Sequence, residues 1–175
     1  MSVLSRLFSR KDPRDIARAT YDRIVTIGRD PYWYLDGQVE DSVDGRFEAV
    51  TMVLAAVLLR LENDDADPQV RQFSVFLAEL FVDDMDGQLR QNGVGDLVVG
   101  KHIGKMMSAL GGRLGAYREA LAKGDGEQLG QALRRNLYRD APVEASAVNA
   151  AADHLAQLYA RLRAIPAAAI MQGGF

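Results

Sequence analysis

Between Phe47 and Leu61 only Glu48, Thr51 and Arg60 are polar, and no other feature of the chain limits its fold so tightly. A helix that is apolar on all sides has no face to offer water, so other elements must surround it. Fifteen residues fall short of the roughly 20 that a bilayer-spanning helix needs. The run therefore predicts the buried centre of a helical bundle.

The flanking sequence supplies helices to cover it. Asp12-Pro13 marks a start, with Asp12 as cap and proline in the first turn, and Ala17, Thr20, Tyr21, Ile24 and Val25 recur at helical spacing up to Gly28. A polar-aromatic connection follows over residues 29–45, with room for one helical turn at Pro31–Leu35. Asp67-Pro68 repeats the start signal, and Val70, Phe73, Phe76, Leu77, Leu80 and Phe81 form an apolar stripe that runs on to about Gln91. Asp96 is placed to cap a further helix with Val99, Ile103, Met106, Met107, Leu110 and Leu114 on its face, kinked or divided at Gly111-Gly112. After Gly124-Asp-Gly126, two more apolar stripes follow, Leu129 to Leu137 and Val148 to Leu162, with Pro166 beyond the second. No segment alternates long enough to argue a strand. The expected fold is all-α, a single domain built as an irregular bundle of six or seven helices. Residues 1–11 form a basic amphipathic arm, 12–166 the helical domain and 167–175 a tail.

Composition narrows the chemistry. With 175 residues and 21 basic against 24 acidic side chains, net charge −3, the chain lacks the clustered positive charge that nucleic acid recognition requires. Without cysteine there is no disulfide, thiolate zinc site or thiol nucleophile. In the arm, Val3, Leu4, Leu7 and Phe8 share a helical face beside Arg6, Arg10 and Lys11. That pattern is no signal peptide; it suits either a surface contact with a membrane or an arm lying on the domain. The Ala-, Arg-, Asp- and Gly-heavy usage points to a GC-rich bacterial genome.

Catalytic motifs stay incomplete. Gly95-Asp-Leu-Val-Val-Gly-Lys101 matches the P-loop until its eighth position, where His102 replaces the magnesium-binding Ser or Thr, and no strand precedes it. Asp83, Asp84 and Asp86 resemble cation ligands, but an EF-hand register puts Val82 and Gly93 at the end positions; an Asp86–Arg90 helical pair is the simpler use. His102 and His154 stand far apart. No cofactor is implied, and a nucleotide- or metal-dependent enzyme is the least supported class. Binding residues are better represented. Arg29, Asp30, Tyr32, Trp33 and Tyr34 put the sole tryptophan in a non-helical stretch, in the residue types that carry interface energy. The alternative is that these rings close one end of the core. Met85, Met106 and Met107 are flexible apolar side chains of the kind adaptable surfaces use, with core filling the favoured alternative.

These pieces add up to a pattern. Tyr21-x-x-Ile-Val25, Arg29-Asp-Pro31, Tyr34, Asp41-Ser-Val-Asp-Gly-Arg-Phe-Glu48, Asp84-Met-Asp86, Leu89-Arg90, Gly93-Val-Gly-Asp-Leu97, Gly100-Lys101, Lys105-Met106, Gly112-Arg113, Tyr117 and Ala120-Leu121 stand in one order. Over residues 21–121 the chain resembles the ubiquinol–cytochrome c chaperones, assembly factors for the respiratory reductase. It departs from them at Met52-Val53, where members often carry Leu-His, so no metal or redox role on that helix carries over. The resemblance implies a non-catalytic chaperone that binds newly made cytochrome b. In mitochondrial relatives a small second assembly factor and the ribosomal exit region take part. It also implies a cytoplasmic position, peripheral at the inner face of the membrane. Asp84, Met85, Asp86, Arg90, Asp96 and Lys101 join the aromatic cluster as candidates for client contact; with Asp44 and Arg46, the polar members serve equally well to tie helix ends together. A helical scaffold that dimerises through the aromatic patch is the competing function.

Overall fold

The computed structural model describes the backbone of residues 12–91 and 96–175, and their side chains except those of 89, 91, 96–103 and 105. The described residues are all-α: α1 (Asp15–Gly28), α2 (Pro31–Leu35), α3 (Val43–Leu61), α4 (Pro68–Gln91), α5 (Asp96–Lys123), α6 (Gly126–Asn136), α7 (Ala145–Ala164) and α8 (Ala167–Ile170). Six are long, α2 and α8 are single turns, and a 3-10 turn at Glu62–Asp64 follows α3. The N-terminal arm lies outside the described residues.

Helix α3 is the centre of the bundle. From Glu48 to Leu61 every residue is buried, and α1, α4, α5 and α7 pack around it. It begins four residues before the apolar run, because the Ser42 hydroxyl accepts the Gly45 N–H as an N-cap and Asp44 sits in the first, positive turn. Gly28 lets the end of α1 approach closely, since a Cβ there would stand 2.8 Å from the Val50 Cα. Arg60 is buried and donates to the carbonyls of Leu162 at 3.0 Å and Ile165 at 2.8 Å, where α7 has run out of its own donors. The polar residue nearest the end of the central helix thus ties it to the last long one.

Three expectations change. Asp12 does not cap α1, which starts at Asp15; its carboxylate accepts the Arg14 N–H at 2.9 Å and closes a turn before the helix. Gly111-Gly112 does not divide α5, which runs through all 28 residues, and Met107 lies exposed instead of on the buried face. The tail, residues 167–175, packs on α1: Thr20 donates to the Ile170 carbonyl at 2.8 Å, Arg23 donates to the Phe175 carbonyl, and Ile170 is buried.

Candidate functional site

The aromatic cluster lies where α1 ends and α3 begins. Asp30 accepts the Tyr32 N–H at 2.9 Å and starts α2. That single turn swings Trp33 inward and Leu35 outward. Trp33 is fully buried, and its indole N–H donates to the Ile27 carbonyl at 2.7 Å. The Tyr34 hydroxyl donates to the Gly28 carbonyl at 2.9 Å. The two rings satisfy carbonyls that the last turn of α1 leaves without intrahelical partners. Tyr32 is half-buried and stacks on His154 of α7 with ring centres 4.2 Å apart, while Trp33 meets the same imidazole edge-on. Burial lowers the His154 pKa, and Asp30 partly offsets it.

This arrangement corrects the expectation for Trp33. With no accessible surface it cannot touch a client, so it fixes the position of α2 instead. Met85, also buried, fills the core of α4, the favoured of its two expected uses. What the corner does expose is different. Leu35 is 77% exposed and Val43 61% exposed. A shallow cleft of about 410 Å³ is lined by Arg29, Pro31, Tyr34, Leu35, Asp41 and Arg46. Asp41 and Arg46 pair across it at 2.6 Å, and the guanidinium holds the Asp41 carboxyl below its ordinary range. Pro31, Leu35, Asp41 and Val43 were not among the sequence candidates, whereas Arg46 stood in the polar group that could tie helix ends or meet a client. The available signal was phase, since in one helical turn residues 33 and 35 cannot share a side.

The acidic run on α4 is divided among separate partners. Asp83 pairs with Arg14, Asp84 accepts the Tyr21 hydroxyl at 2.8 Å, and Asp86 accepts from Arg90 at 2.8 Å, the helical pair its spacing predicts. Burial and the Asp84 carboxylate both push the Tyr21 hydroxyl pKa up. Among the described residues no three carboxylates or imidazoles converge on a metal position. Asp96–Lys101 form the first turns of α5 and come after α4, not after a strand. The side chains of Asp96 and Lys101 lie outside the described residues.

One polar site went unread in the sequence. Glu48 of α3 and Arg113 of α5, 65 positions apart, form a buried ion pair. The guanidinium lies 5.9 Å from the centre of the Phe47 ring, and buried Tyr117 stands one turn along α5. Glu48 and Arg113 come from separate blocks of the family pattern, Gly-Arg-Phe-Glu and Gly-Arg, and no spacing rule joins them.

The family pattern described as ubiquinol-cytochrome C chaperone matches residues 35–175. A solved structure, described as the crystal structure of the Cbp3 homolog from Brucella abortus, superposes with a TM-score of 0.80 at 30% identity, covering 97% of this chain and 93% of that one. No curated protein matches the chain.

Proposed function

We propose, since the chain belongs to the ubiquinol-cytochrome C chaperone family, that it is a non-catalytic assembly factor holding newly made cytochrome b until ubiquinol–cytochrome c reductase is built. The observation that carries this reading is the reach of the family match, residues 35–175 together with a fold shared over 97% of the chain. No helix among the described residues is long and apolar enough to cross a membrane. A client with apolar membrane helices needs an apolar contact with a polar rim, and the α2 corner has that make-up. Leu35, Pro31 and the outer edge of Tyr34 are the contact. Arg29, Asp30, Asp41 and Arg46 are the rim, and Tyr32 and Trp33 hold the corner in place. Asp84, Asp86, Arg90, Asp96 and Lys101 serve as helix ties or a second contact.

The test is capture of cytochrome b by the tagged protein from its own membranes, read beside thermal melting of each variant. Leu35→Asp alters an exposed side chain, so melting should hold while capture falls. Loss of an interfacial anchor costs about 2 kcal/mol, roughly thirtyfold in affinity. Trp33→Ala should lose capture only in step with its lost stability. The same purifications report a second assembly factor or ribosomal proteins. If the protein dimerises through Leu35 and captures no cytochrome b, the scaffold reading replaces this one. If deleting the protein leaves the reductase level unchanged, the assembly role fails.

A further inference from the structure

Among the described residues, three besides glycine hold a left-handed backbone: Gln38 (φ 51°), Arg139 (φ 55°) and Asp140 (φ 59°). Gln38 and Arg139 line one cleft of about 270 Å³, between the α2–α3 loop and the α6–α7 loop, and Asp140 follows directly. The buried Tyr138 hydroxyl donates to the Gly37 carbonyl at 2.6 Å and joins the two loops, so the cleft is formed in advance. Gly45 is required beneath it, because a Cβ there would stand 1.9 Å from the Glu40 carbonyl oxygen.

The walls are apolar, from Leu137, the Tyr138 ring, Pro142 and Val143, and the lip is charged. Asp44 and Arg139 form an ion pair at the lip with both side chains mostly exposed. Glu40 also lines the lip and has no cation at ion-pair distance among the described residues. Asp44, Glu48 and Glu40 all stabilise the charged Arg139 guanidinium, and Glu48 already has Arg113. Two lip carboxylates therefore share one cation, which leaves a negative charge at the mouth of an apolar slot. A slot of that kind complements a side chain with an aliphatic stem and a cationic head. An exposed ion pair contributes little, so Arg139 can give way to another cation.

We propose that this cleft is a docking socket for an arginine or lysine side chain of a partner protein, with Glu40 and Asp44 as its carboxylates and Arg139 as the resident cation that the incoming one displaces. The socket shares no lining residue with the Leu35 cleft, although both draw on the α2–α3 loop, and it does not depend on the client assigned there.

The test uses backbone-amide NMR of the full chain titrated with N-acetyl-arginine N-methylamide, and with the citrulline analogue as its neutral counterpart. Saturable shifts are expected in residues 37–45 and 137–143, with the citrulline compound at least about threefold weaker. Glu40→Gln and Asp44→Asn should each weaken the arginine probe. Arg139→Asn is the distinguishing variant, because Asn tolerates the left-handed backbone and removes only the competing cation. It should tighten binding by about threefold, the worth of an exposed pair. Equal binding of citrulline, shifts outside the two loops, or no gain in Arg139→Asn would overturn the proposal and leave Arg139 as an internal tie. Should Arg139→Asn misfold, Glu40→Gln decides alone, since the Glu40 side chain makes no ion pair among the described residues; unchanged binding there overturns the socket.

Discussion

Asp-Pro occurs at 12–13, 30–31 and 67–68, and each time the aspartate accepts the N–H two residues on, from Arg14, Tyr32 and Gln69, at 2.8–2.9 Å. Proline has no N–H to give and fixes its own φ, so the carboxylate reaches the next donor and turns the chain into a helical start. The pair is readable in sequence, yet the helix follows at once in two cases and only after a further turn at Asp12. At the same scale, His154 shows what its neighbours decide. Burial against Tyr32 and Trp33 lowers its pKa, so the folded protein favours the neutral ring; Asp30 opposes this and Arg161 adds to it. The folded pKa lies below the unfolded value, so this contribution is complete above about pH 6.5 and is lost as pH falls from there through the folded value. Urea melts between pH 7.5 and 5, values chosen to bracket that range, should show a smaller acid-side loss for His154→Phe than for the natural protein. Equal losses would mean that the ring does not sense its burial.

At the scale of elements, α3 and α5 meet, among the described residues, through one charged contact inside an apolar interface. Burial pushes the Glu48 carboxyl up while Arg113 pulls it back. A buried ion pair is a poor source of net stability but is costly to halve, because the remaining charge is left in a dry site. Arg113→Met alone should cost about 3–5 kcal/mol in denaturant melts, and Glu48→Met with Arg113→Met together should cost less than that single change. Additive losses would show that the two charges are separately solvated. The pairing also explains why neither residue could be picked out beforehand. Within its own helix Glu48 looks like a stray polar residue, and Arg113 follows two glycines that read as a break. Helix α5 runs unbroken through Gly111 and Gly112, where a Cβ would meet nothing within 4 Å, so no close approach requires glycine at either position. Glycine there lowers helix stability without dividing the helix.

For the whole molecule, the bundle depends on α3 being enclosed. Leu54 is fully buried at its middle, and Leu54→Ala should cost about 2–5 kcal/mol through lost burial and the cavity left behind. A loss under about 1 kcal/mol, the level of a surface change, would show that the centre lies elsewhere. Fold class, the central helix and the order of the covering helices could be read from the chain alone. A segment with no polar face must be surrounded, and a 3.6-residue stripe marks the side that does the surrounding, whatever the neighbours are. The binding surface did not follow in the same way. Residue type marks Trp33 and Leu35 equally as apolar, and the placement of α2 against the end of α1 and the middle of α7 decides which is buried and which exposed. Tertiary packing likewise brought Glu48 to Arg113 and Asp44 to Arg139, because contacts 65 and 95 residues apart depend on where helices cross and leave no periodic trace in either segment.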